Sequence, residues 1–108
     1  MFGSGKANQG EIDISALDWL RGSQEFLRMW NGEQEGLTCL IEPRAIGADP
    51  FVFGMAMVDA IRHGAKAYAH AAGISEEHAL GRIWEGFDAE RDSPTDEPRQ
   101  IDPEGKPN

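Results

Sequence analysis

Cysteine is all but missing from this chain, which holds one in 108 residues, and base is scarce, with ten Lys and Arg against nineteen Asp and Glu. A lone Cys39 excludes an intramolecular disulfide and a cysteine-built metal cluster. It stands between Thr38 and Leu40 in an apolar run, where a free cysteine acts as a small hydrophobe. The formal charge of −9 has the wrong sign for nucleic acid, whose binding draws on Lys and Arg neutralising phosphates. It disfavours an anionic membrane surface for the same reason. No apolar run approaches the ~18 residues of a membrane span, and the first residues lack the apolar core of a secretory signal. Chemical motifs are absent as well: there is no H-E-x-x-H, and "MFGSGK" falls short of the P-loop spacing. The expectation is a soluble, cytoplasmic protein with no metal site, no cofactor and no assigned catalytic residue.

What is present is confined to the middle of the chain. The start, "MFGSGKANQG", is polar and glycine-rich, and the end, "DSPTDEPRQIDPEGKPN", carries four prolines and little apolar bulk. Neither can bury enough surface to offset the entropy of ordering it. Residues 1–11 therefore read as a disordered leader, 12–91 as one domain, and 92–108 as a disordered, acidic, Pro-rich tail. A domain that small buries only about 60% of its unfolded surface, so its core is thin.

Within residues 12–91 the pattern predicts an α+β fold, a short β-hairpin packed against two antiparallel helices. "ISALDWLRG" spaces Ile14, Leu17 and Leu20 as a short helical turn ended by Gly22. "EFLRMW" and "LTCLIEP" read as strands around a loop of about six residues, "NGEQEG". Leu27 and Met29 share one face of the first strand, with Phe26, Arg28 and Trp30 on the other. Leu37, Cys39 and Ile41 share a face of the second, and Pro43 ends it. Asp49 and Pro50 then open a long helix as cap and first residue. Its apolar stripe runs through Gly54, Met57, Val58, Ile61, Ala65, Tyr68 and Ala72, and Gly73 stops it. Ser75, with Glu76 and Glu77 in the first turn, opens a second helix whose apolar face is Ala79, Leu80, Ile83, Trp84 and Phe87. The very short link between the two folds them back on each other.

These pieces carry a resemblance. "LRMW", a "GL" strand, "DP", the central "DAIRHGAKAY" and a late "PTD" resemble, in that order, a family of short bacterial proteins known only as a domain of unknown function. The likeness covers about residues 16–96. It implies a bacterial, cytoplasmic origin and brings no activity with it. The glycine-rich start and the proline-rich end depart from the family pattern.

The candidate site residues lie on the long helix and the first strand. Asp59 and His63 are four apart and stack on one helical face, with Arg62 and Lys66 beside them. His70 lies about 10 Å further along the axis, too far to complete a metal site whose donors must come within about 2.0–2.2 Å of the ion. A dyad in which Asp59 orients His63 as a general base is geometrically open, but no nucleophile or substrate pocket is visible. The plain alternative makes this the wet face of an amphipathic helix. Gly54, Gly64, Gly81 and Gly86 inside helices each cost about 1 kcal/mol against Ala, which calls for close packing, within the chain or against a second copy. Arg28 and Trp30 share a mixed strand face, and the aromatic residues outnumber what a thin core can hold.

Together these features favour a small non-catalytic protein-interaction module, a homodimer or the binder of another protein, with Arg28, Trp30, Asp59, Arg62 and His63 as binding candidates. Two alternatives remain. One is a small ligand-binding protein or enzyme using Asp59, Arg62 and His63 beside an apolar pocket. The other is an adaptor whose acidic tail docks on a basic partner.

Overall fold

The computed structural model describes residues 10–95 and the backbone of Arg99–Ile101. In chain order it holds strand β1 (Leu27–Gly32), strand β2 (Gly36–Ile41), helix α1 (Pro50–Ala72), helix α2 (Glu76–Asp92) and strand β3 (Arg99–Ile101), with 3-10 turns at Asp18–Leu20 and Pro43–Ala45. The chain is thus α+β, an antiparallel hairpin followed by two helices.

Strands β1 and β2 pair from Leu27 opposite Ile41 to Gly32 opposite Gly36. The turn between them is three residues, Glu33 to Glu35, where the sequence suggests about six. Both flanking glycines stay in the ladder. Gly36 takes a φ of +75°, the left-handed value that closes a three-residue hairpin loop. A Cβ on Gly32 would meet the tip of the Glu35 side chain, which can swing aside.

The sheet holds a third strand that the sequence pattern does not announce. β3 runs parallel to β2, with Thr38 opposite Arg99 and Leu40 opposite Ile101, giving the order β1-β2-β3. It falls in the segment expected to stay unpacked. Main-chain pairing needs no apolar alternation, and the far edge of β2 offers a ready row of donors and acceptors. The intervening α1 and α2 supply the long crossover that a parallel pair requires. The remainder of the expected disordered ends, 1–9, 96–98 and 102–108, lies outside the described residues.

Local chemistry sets the helix limits. Asp49 accepts a hydrogen bond from the Phe51 amide, Pro50 takes the first position, and Gly73 ends α1 at φ +69° with its N–H donated to the Ala69 carbonyl. Ser75 accepts from the His78 amide to start α2. The expected helical turn near residues 14–22 shortens to Asp18–Leu20, leaving Trp19 73% exposed.

The helices meet where their side chains are smallest. Ala65 of α1 and Ala79 of α2 are the only fully buried apolar residues among those described. Beside them a Cβ on Gly64 would lie 3.8 Å from the Ile83 methyl. Lys66 reaches Glu76 across the pair at 3.1 Å. On α2, Leu80, Ile83 and Trp84 are half-buried and Phe87 is exposed. The Trp84 and Phe87 rings meet edge on at 5.5 Å, and the Arg91 guanidinium lies 5.7 Å from the Phe87 centroid.

The stripe expected on α1 is right at Met57, Ile61 and Ala65 but not at Gly54, Val58, Tyr68 and Ala72, which are exposed. Its inner line runs instead through Phe53, Ala56, Met57, Ile61, Gly64, Ala65 and Ala69. At the N-terminal end that line turns toward the sheet, and Phe53 meets Phe26 edge on at 6.4 Å. Close packing also fails to explain the helical glycines at 54, 81 and 86, because a Cβ at each would meet nothing within 4 Å.

Two substitutions separate these glycine roles. Gly81→Ala should raise stability by roughly 0.5–1 kcal/mol, since alanine fits the space and restricts the unfolded chain. Gly73→Ala should lower it by about 1 kcal/mol, because its φ is one that a Cβ resists. Urea unfolding of the two variants beside the parent chain measures both.

Candidate functional site

The sequence places its candidate residues on two elements, and the structure keeps them apart in kind. On α1, four-residue spacing stacks Asp59 over His63, and the Nε2–Oδ2 distance is 3.4 Å. Both side chains are 74% exposed. Arg62 and His70 are exposed too. None of these four lines either of the two best-formed recesses. An exposed pair of this type contributes a few tenths of a kcal/mol. Among the described residues nothing encloses the pair or aims a third group at the imidazole, and these residues form an exposed helix face. No three His, Cys, Asp or Glu side chains among the described residues gather closely enough to hold a metal ion.

Arg28 and Trp30 do share one face of β1, as alternation requires. The Arg28 guanidinium grips Glu25 in a fork, at 2.7 and 2.6 Å. That hydrogen bond, with the charge behind it, lowers the Glu25 carboxyl below its ordinary range and raises Arg28. Trp30 lies opposite Thr38 and keeps more than a third of its surface in solvent. On the other face of the same strand Met29, opposite Cys39, is exposed as well.

The two recesses are shallow and open. One lies at the closed end of the helical pair, between Tyr68, Ile74, Ala79, Arg82 and Ile83. The other, polar, is lined by Gln24, Glu25, Glu42, Arg44 and Ala45 where β2 runs into its 3-10 turn. There Glu42 caps the turn: it accepts from the Arg44 amide at 3.1 Å and from the guanidinium at 2.8 Å twice. The side-chain bond to Arg44 is the main cause, and the amide the second, of a Glu42 carboxyl pushed down from 4.5 to about 2.

What the sequence reading missed is the extent of uncovered apolar surface. Phe51, Met55 and Val58, at i, i+4 and i+7, form a row along the N-terminal half of α1, with Phe51 72% and Met55 59% exposed. The spacing that reveals this row is plain in the sequence, but of its three members only Val58 belongs to the expected stripe, where it is placed in the core.

Two outcomes follow for the charged groups. Removing the helix pair with Asp59→Asn or His63→Gln should change stability by less than about 0.5 kcal/mol, read from urea midpoints. Glu42 binds its proton at lower pH in the folded chain than in the unfolded one. Its contribution is therefore complete above pH 4.5 and is lost as pH falls toward about 2. Across that window Glu42→Gln should flatten the decline of the unfolding midpoint, an effect that acid-series melts will register.

Comparison with known proteins adds a relationship and no chemistry. A solved structure from the photosynthetic bacterium Rhodopseudomonas palustrus CGA009, provisionally described as a pyruvate dehydrogenase, is 32% identical, with 90% of this chain and 93% of that chain covered and a TM-score of 0.56. No curated protein matches. A family match spans residues 18–95, which takes in the hairpin and both helices, and on that ground the chain belongs to the family described as Domain of unknown function (DUF5076).

Proposed function

We propose that this chain is a small non-catalytic interaction module that works as a homodimer. The observation that carries the reading is the inversion of its burial. The two fully buried apolar residues are alanines, while fourteen large apolar side chains among the described residues stand exposed. Single exposed hydrophobes are ordinary, but contiguous rows such as Phe51–Met55–Val58 mark association surfaces. A domain of this size is already marginal on its own core, and a second copy covers apolar surface that one copy leaves wet.

The open glycines fit the same reading. Gly54 costs helix stability with no neighbour inside the chain to explain it, and it lies on α1 beside the exposed row. The Cys39 thiol is free, which suits a reducing cytoplasm. No helix among the described residues is long and apolar enough to cross a membrane.

The activity in the description of the Rhodopseudomonas palustrus protein is not carried over to this chain. The described residues bring no titratable cluster into an enclosed cleft, and Asp59, Arg62 and His63 point to open water.

Sedimentation equilibrium from nanomolar to high micromolar concentration tests the proposal. A monomer–dimer equilibrium is expected, strengthening with added salt because each copy carries −9. A chain that stays monomeric at high micromolar concentration overturns it.

A further inference from the structure

We propose that the open edge of β1 carries the hydrogen-bonded seam of the dimer, where a second copy of this chain pairs antiparallel with it in a register centred on Met29. The inference rests on the homodimer reading and assigns its contact.

The sheet leaves only one side for a full-length strand. In the order β1-β2-β3 the inner strand is β2, and β3 occupies its far edge. Among the described residues, no turn, loop or cap hydrogen bond engages β1 on its outer side.

The ladder's parity says which groups face outward. The Glu42 amide donates to the Phe26 carbonyl, which sets the phase of the ladder, so its hydrogen-bonded pairs are Arg28 with Leu40 and Trp30 with Thr38. Leu27, Met29 and Asn31 form the alternate pairs, with Ile41, Cys39 and Leu37. In an antiparallel sheet the N–H and C=O of those alternate residues point away from the partner strand. They form a row of donors and acceptors aimed at solvent.

Proteins usually blunt such an edge with proline, lysine or an inward charge. β1 carries none of these. Its one charge, Arg28, is matched by Glu25.

The occupant follows from self-complementarity. Only outward residues can exchange hydrogen bonds across the new seam, so Leu27, Met29 and Asn31 must pair among themselves. A register centred on Arg28 sets two guanidinium groups opposite each other and engages two outward residues per copy. A register centred on Trp30 also engages two. Centring on Met29 engages all three: Leu27 opposite Asn31 of the second copy, Met29 opposite itself, and Asn31 opposite Leu27. It also sets Arg28 across from Trp30 of the second copy, twice by symmetry. Both side chains lie on one face and are exposed, and a guanidinium over an indole ring is a favourable cross-strand pair. The dimer is then a single sheet running through both copies, with both β1 strands at its centre.

Amide hydrogen exchange on the wild-type chain reads this directly. At a concentration where sedimentation finds dimer, the amides of Leu27, Met29 and Asn31 should be protected along with those of Arg28 and Trp30. On dilution to monomer the first three should lose that protection and the last two keep it. Fast exchange at 27, 29 and 31 in the dimer overturns the edge assignment while leaving the homodimer intact. Protection of all three that persists in the monomer assigns the edge to this chain's own segments and overturns it equally.

A covalent readout fixes the register. In the Met29-centred register Arg28 and Trp30 of the second copy form a non-hydrogen-bonded pair, whose Cα atoms lie about 4.5 Å apart, within disulfide reach. Arg28→Cys and Trp30→Cys are each made with Cys39→Ser, so that the introduced thiol is alone in its chain. Oxidation of the two variants mixed should link position 28 of one copy to position 30 of the other. A dimer that links 28 to 28 or 30 to 30 instead, or forms no disulfide, contradicts the Met29-centred register.

Discussion

Everything in this fold depends on how little apolar volume it encloses. The helices bury only small residues fully, Ala65 and Ala79, and at Gly64 the nearest neighbour is the Ile83 methyl. The large side chains lie around this contact without being enclosed by it. Ile83, Leu80 and Trp84 are left half-buried, and Tyr68 and Phe87 are exposed. Between the hairpin side and α1, Phe26, one residue before β1, meets Phe53 edge on. A layer architecture normally gains its stability where sheet and helix faces press together. Here much of that apolar face remains available to something outside the chain.

The charged helix face is open in the same way. Asp59 and His63 meet as their spacing requires, and both are 74% exposed among the described residues. A carboxylate and an imidazole in open water form a weak pair, and catalytic or ligand-binding power comes from a site that desolvates and positions such groups. The Glu42 and Glu25 carboxyls are both lowered, and both owe this to nearby arginines that organise a turn and a strand end. Their role is local structure.

How much of this was legible in the sequence depends on what each element is made of. The helices were, because Asp49-Pro50, Gly73 and Ser75 are local signals whose physics acts within one turn. The hairpin was legible as a pair of strands. Its turn was not, since Gly32 and Gly36 look like loop residues and only the pairing shows that they stay in the ladder. Strand β3 is built from main-chain bonds, which leave no mark in the pattern of side chains. The stripe on α1 showed that the helix is apolar but not which neighbours arrive. Gly54, Val58, Tyr68 and Ala72 are exposed at both ends of α1, so it is the side of the helix they lie on, and not its greater length, that leaves them uncovered. At the candidate site the sequence fixes the spacing of Asp59, Arg62 and His63, whereas their exposure is a property of the packing.

The central claim is that self-association stabilises the folded chain, because one copy leaves much of its apolar surface uncovered. Urea unfolding followed by far-ultraviolet circular dichroism at a series of protein concentrations tests this most directly. The account predicts a midpoint that rises steadily with concentration, as mass action requires when the folded state is a dimer. A cooperative transition whose midpoint is the same at every concentration would contradict it.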